Sequence, residues 1–273
     1  MELELADPED AIYREETDSS GARLIPSELS SGPWNPEHQH GGAVSALLAR
    51  ALTRFDSPVP MRLTRMTLEM FRGVPIRPLR IEPEIVRAGR RIQSLEVRLF
   101  DEETLVARAT GLRIRTDAAV AELDAPGEPD PGLGDPPLDR PAVRRDFDLP
   151  AMPGFIRAVD IESRPVERCG TPATIWARLR CRFMEGEDTS PIVALASLVD
   201  FASGTGNALD YSKYTSINPD LSVHFLREPR SDWIGIRGTT LRAADGIGQS
   251  HARIYDLEGL VATVDASLLL SRR

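Results

Sequence analysis

The chain has 273 residues, 41% of them hydrophobic and 27% charged, with a formal net charge of −9. That is the balance of a folded globular protein with a sizeable core, and its acidity excludes the broad basic footprint of a nucleic-acid binder. No run approaches the roughly 18 apolar residues of a membrane span.

The acidic start from Met1 to Asp7 lacks the basic and then apolar pattern of a signal peptide. Two cysteines, Cys169 and Cys181, form no closely spaced pair and point to a reducing compartment. The expected location is the cytoplasm. Arginine supplies nearly all the positive charge, and Lys213 is the only lysine.

In chain order, Ala11-Ile12-Tyr13 reads as a short strand or tether and residues 22–26 as a short strand. A turn-rich loop follows, Ser30-Ser31-Gly32-Pro33-Trp34-Asn35-Pro36. The run from His40 and Gly41-Gly42 through Ala43, Val44 and Ser45 to Leu52 is apolar on almost every face, which predicts a buried helix over residues 40–54. Its two leading glycines permit close backbone approach, and free N–H groups there favour a polarised oxygen. The same glycines also serve close packing of helix on sheet. Strands are predicted over 63–71, 79–87, 91–99 and 104–115, with a turn at Asp101-Glu102-Glu103.

Residues 118–145 are rich in proline, glycine and acid and read as a linker. They separate an N-terminal unit, 1–117, from a C-terminal unit, 146–273. The two units resemble each other. Leu105-Val106-Ala107 recurs as Leu260-Val261-Ala262, an offset of 260 − 105 = 155. The same offset lays Asp101 on Asp256, Arg72 on Arg227 and Phe100 on Tyr255. It lays Gly42 to Ala46 on Ser197 to Phe201, so that Ser45 falls on Asp200. One gap-free offset over residues 22–110 predicts two copies of one α+β unit, each an antiparallel sheet wrapped around a central helix.

Such a unit resembles the hotdog fold, and the chain resembles the double-hotdog acyl-CoA thioesterases. The residues that carry this are Gly32-Pro33-Trp34-Asn35-Pro36 with His40-Gly41-Gly42, and Ile217-Asn218-Pro219-Asp220 leading to Arg227. The resemblance implies an intramolecular pseudo-dimer and an acyl-CoA or related thioester as substrate. A homo-oligomer is left open, and no nucleic acid, membrane or cofactor is implied.

Characterised members use an Asp, a Thr or Ser, and a Gln from the C-terminal unit to hold an attacking water. By motif these positions fall on Asp200, Asn218 and Asp265, so two of the three depart from the pattern. Asn218 can still hold water through its amide, whereas a second carboxylate at Asp265 would repel Asp200. Asp200 closes the apolar run from Pro191 to Val199, where burial would raise its pKa toward that of a general base. The N–H groups near His40, Gly41 and Gly42 are the expected thioester-carbonyl site.

Two alternatives remain open. A hotdog dehydratase of 3-hydroxyacyl thioesters would pair His40 with Asp200, and a non-catalytic acyl-CoA-binding protein would explain the departures. His38 and His40 alternate but lack a cluster of acids or cysteines, so no metal site is expected.

Overall fold

The computed structural model describes residues 6–7, 9–19, 21–123, 154–163 and 167–273. Its elements in the first half are β1 (Ala11–Asp18), β2 (Gly21–Pro26), α1 (Gly41–Thr53), β3 (Met61–Met70), β4 (Arg80–Arg87), β5 (Ile92–Asp101) and β6 (Thr104–Arg115). Those in the second half are α2 (Gly154–Arg157), β7 (Val159–Ser163), β8 (Ala173–Leu179), β9 (Arg182–Met184), α3 (Pro191–Leu198), β10 (Tyr214–Ile217), β11 (Asp220–Phe225), β12 (Ile234–Arg242), β13 (Ile247–Asp256) and β14 (Gly259–Arg272). Of the expected linker, Ala118–Leu123 form a 3-10 helix, and residues 124–145 lie outside the described residues.

Alternation builds the sheet. In β5, Leu95, Val97 and Leu99 are buried, while the intervening Ser94, Glu96 and Arg98 fall on the other face, as a period of two requires. The helices occupy the buried face. Ala43, Val44, Ala46, Leu47, Leu48, Ala49 and Leu52 of α1 are all sealed from solvent, and α1 packs on β3, β5, β6 and α3. A helix this apolar is stable only when enclosed.

The expectation of two separate sheets is corrected by the pairing. Strands run β4-β5-β6-β3-β11-β14-β13-β12-β8-β7 in one 11-stranded sheet, with β10 also on β14. The halves meet where β11 pairs antiparallel with β3, from Asp220↔Glu69 to His224↔Arg65. Each strand would otherwise present an open edge of unpaired N–H and C=O groups. β1 lies between β2 and β9 in a second, three-stranded sheet.

The internal offset holds in part. The β5–β6 hairpin closes at Asp101↔Thr104 and has a register shift at Leu99/Phe100. The β13–β14 hairpin closes at Asp256↔Gly259 and shifts at Ile254/Tyr255, and 254 − 99 = 155. The helices depart from it. His40 caps α1 and Ser190 caps α3, an offset of 190 − 40 = 150. The overlay of Gly42 on Ser197 and Ser45 on Asp200 is therefore corrected by five residues: cap to cap, Asp200 corresponds to Arg50. α3 continues as a 3-10 helix over Val199–Ser203 and so ends as far past its cap as α1 does (203 − 190 = 53 − 40 = 13); the cause is the longer connection that follows Ser203.

Candidate active site

Asp200 lies on that 3-10 helix and is buried, with only 6% of its surface exposed. Three groups surround its carboxylate. The Asn218 side-chain amide donates to Oδ1 at 2.8 Å, His40 Nδ1 stands 3.1 Å from Oδ2, and Gly41 presses against it from α1. A Cβ built on Gly41 would come within 2.6 Å of Oδ1, so the absence of a side chain is what admits the carboxylate. The site thus joins the start of a helix from the first half to a carboxylate and an amide from the second.

His40 is held tightly. Its ring stacks on Phe155 of α2 at 4.5 Å between centroids and tilts against Phe201 at 5.4 Å. Burial lowers its pKa, and the Asp200 charge opposes that only in part. The neutral ring is favoured, and its Nδ1 accepts the Gly42 N–H at 3.0 Å as the cap of α1. That nitrogen lies between a donor and a carboxylate, so the ring's tautomer decides which it serves. With Nδ1 unprotonated it caps the helix and leaves Oδ2 to another donor. With Nδ1 protonated it donates to Asp200 and releases the Gly42 N–H.

Gly41 and Gly42 differ in role. The Gly42 N–H is engaged by His40, whereas the Gly41 N–H, at the first helical position, has no acceptor within the helix. Gly42 also lets α1 and α3 approach, because a Cβ there would collide with the Ser197 carbonyl.

Asp265 does not join this group. Its neighbours Val264 and Ala266 are buried under the helices, so alternation turns Asp265 to the outer face of β14. Its carboxylate meets His251 Nδ1 at 2.8 Å with the side chain 47% exposed. Phe155 and Phe201 were missed as site residues; Phe201 follows Asp200 directly, whereas nothing in the sequence signals Phe155.

The matching end of the other half is built differently. There Arg50 stands for Asp200 and Ser190 for His40, beside a cavity of about 220 Å³. Arg50 is clamped to Glu187 by two hydrogen bonds of 3.0 and 2.6 Å, and Arg54 adds a third at 2.6 Å. Asn218, moved by 155, becomes the buried Leu63. The position that holds the Asp200 carboxylate at one end thus holds the Arg50 guanidinium at the other.

Among the described residues no three acids, histidines or cysteines converge as a metal site, and no helix is long and apolar enough to cross a membrane.

Residues 30–114 match the family model of the acyl-CoA thioesterase N-terminal domain, and residues 124–269 that of the acyl-CoA thioesterase C-terminal domain. Curated protein sequences give no match. Among solved structures, a hot dog fold protein of unknown function from Alicyclobacillus acidocaldarius is similar over 92% of each chain, at 16% identity and a TM-score of 0.70. The tesB protein of Mycobacterium avium subs paratuberculosis is similar at 16% identity and a TM-score of 0.65, over 91% of this chain and 93% of that one. The acyl-CoA thioesterase II of Mycobacterium marinum is similar at 17% identity and 0.63, over 90% and 96%. At these identities what is shared is the fold.

Proposed function

This chain belongs to the acyl-CoA thioesterase family, and we propose that it hydrolyses acyl thioesters of coenzyme A with Asp200 as general base. The observation that carries the reading is the buried Asp200 carboxylate set against the start of α1, with Oδ1 occupied by Asn218 and Oδ2 facing His40. Asn218 fixes the carboxylate's orientation, and Oδ2 takes a proton from water as the water oxygen bonds to the thioester carbon. The carbonyl oxygen, gaining charge, is met by the Gly41 N–H, while His40 keeps its Nδ1 on the Gly42 N–H and leaves Oδ2 to the water. Collapse breaks the C–S bond, and the thiolate leaves and recovers a proton as the free thiol, so no strong acid is required. Asp265 takes no part in this scheme.

The same reading treats the molecule as an intramolecular pseudo-dimer of two hotdog units, 1–117 and 146–273, that act as a cytoplasmic enzyme of fatty acyl metabolism. Hairpins matched at an offset of 155 support the duplication. Arg50 at the mate position supports one working site rather than two.

One observation favours a second reading. The 3.1 Å approach of His40 and Asp200 across the two halves is the pairing a 3-hydroxyacyl thioester dehydratase would use. The experiment is a panel of acyl-CoAs, including 3-hydroxyacyl-CoAs, assayed separately for thiol release and for loss of water by wild type and Asp200→Asn. Thiol release that fails in the variant supports hydrolysis. Water loss without thiol release selects the dehydratase, and tight binding without either selects a non-catalytic acyl-CoA carrier.

A further inference from the structure

Large apolar side chains stand exposed on the face of the sheet turned away from the helices, and they recur at the repeat offset. Ile92 faces Ile114 across β5 and β6, and Ile247 faces Leu269 across β13 and β14, with 247 − 92 = 269 − 114 = 155. Arg113 and Leu268, one residue before Ile114 and Leu269, are buried, so alternation turns both pairs outward. Phe71 and Leu226, again 155 apart, follow β3 and β11 in the same way. The Phe71 N–H donates to the Val106 carbonyl at 3.0 Å, and the Leu226 N–H to the equivalent Val261 carbonyl at 2.8 Å. The six residues are between 39% and 61% exposed.

The register gathers them into two clusters, each spanning the seam between the halves. The pairing of Asp220 with Glu69 carries Phe71 toward Ile217, which is itself exposed and faces Leu269. The pairing of His224 with Arg65 carries Leu226 toward Arg62, which faces Ile114. Exposed positions change at little cost to stability, so folding alone does not keep both members of each pair apolar. The helices show how far equivalent positions otherwise differ, with Asp200 on one and Arg50 on the other. A contact outside the fold is the physical reason for an exposed apolar cluster on each side.

We infer that this face binds a second copy of the chain, the two sheets packed back to back. A face that repeats itself on either side of a seam offers equivalent contacts to a partner that repeats in the same way, and a second copy is such a partner; an isologous dimer uses one patch on both subunits. The size fits. The strands from β5 to β13 along the sheet, β5-β6-β3-β11-β14-β13, spaced about 4.8 Å apart and up to about ten residues long, present roughly 900 Å², close to the roughly 800 Å² that each partner gives to a standard interface. The charge fits as well. A chain of net charge −9 repels its own copy, but on this face carboxylates meet local cations: Glu69 pairs with Arg108, Glu96 with Arg98 and Asp265 with His251. The inference stands apart from the thioesterase reading and does not depend on it.

The test is the mass in solution. Sedimentation velocity and light scattering of wild type are expected to give twice the chain mass of 30.1 kDa. Ile114→Glu and Leu269→Glu place a charge in one cluster each and should weaken the dimer by similar factors of about tenfold or more, as loss of an apolar anchor does; the double variant should be monomeric. Val120→Glu changes an exposed apolar residue outside the sheet and should leave the dimer intact. Melting transitions check that each variant folds, and Ile114→Thr and Leu269→Thr, which keep β-branched strand residues, replace any that does not. A monomeric wild type overturns the inference, as does a dimer that survives the double variant or one that Val120→Glu dissociates equally. Loss in only one of the two cluster variants overturns the symmetric contact. A monomer that floats with phosphatidylcholine–phosphatidylglycerol vesicles, and ceases to in the double variant, would assign the face to a lipid surface instead.

Discussion

Thr67 Oγ1 and Ser222 Oγ stand 3.2 Å apart across the seam where β3 meets β11, and they are each other's counterparts in the repeat, since 222 − 67 = 155. In two equivalent antiparallel strands, the residue that faces its own counterpart marks the local two-fold axis. The proposed duplication would have its axis at this pair, and the sheet runs through it without a break. The two halves should unfold as one unit. Single-tryptophan variants keeping Trp34 in the first half, or Trp176 or Trp233 in the second, are expected to give coincident denaturation midpoints. Two separated transitions would show that the seam does not couple the halves.

His40 makes stability depend on pH. Burial holds its folded-state pKa below the ordinary value near 6.5, so below that value the unfolded chain takes a proton that the folded chain refuses. Its contribution is fully present above about pH 6.5 and declines as the pH falls through the window beneath it. Asn also caps helices but does not titrate there. Unfolding free energies at about pH 7 and pH 5 should show a steeper loss for wild type than for His40→Asn. Equal losses would mean that the ring is not held neutral.

Gly42 sets the distance between α1 and α3. Gly42→Ala puts a methyl group into the Ser197 carbonyl and is expected to cost about 1–3 kcal/mol, as overpacking of a closed core does. Gly204→Ala meets nothing nearer than 3.7 Å and serves as the comparison, with a change within about 0.5 kcal/mol. Thermal or denaturant unfolding of the two variants measures the difference; similar losses in both would remove the close-packing explanation.

Arg50 occupies the place that Asp200 holds in the other half, yet it is tied to Glu187. Arg50→Met should lower stability by about 1.5–3 kcal/mol, the worth of charged hydrogen bonds, while kcat stays within about twofold of wild type. A large fall in kcat with stability intact would place chemistry at this end too.

Much of the fold was legible because burial writes itself as period. The apolar run from Ala43 to Leu52 could only be an enclosed helix, and β3 to β6 were marked by alternation between turns. The offset of 155 was legible where hairpins are rigid units, and it misled at α3. A longer connection before β10 displaces the helix by five residues without disturbing any strand, so the sequence overlay put Ser45 opposite Asp200 where the fold puts Arg50. Asp200, Asn218 and His40 were legible as individuals, but only the family resemblance implied their meeting, because it depends on how a helix start from one half lies against a turn from the other. Asp265 shows the reverse limit. In the largely apolar stretch from Val261 to Leu270 either face could be the inner one, and the burial of Val264 and Ala266 decides for the outer at Asp265.

The central claim is that Asp200, and not Asp265, serves as the base that activates water. The most direct measurement is kcat/KM for the best acyl-CoA substrate in Asp200→Asn and Asp265→Asn, with folding of each checked by its melting transition. The account predicts a loss of about 10²-fold or more in Asp200→Asn, the usual worth of a general base, and a change within about twofold in Asp265→Asn. An Asp200→Asn enzyme as active as wild type, or a loss confined to Asp265→Asn, would contradict it.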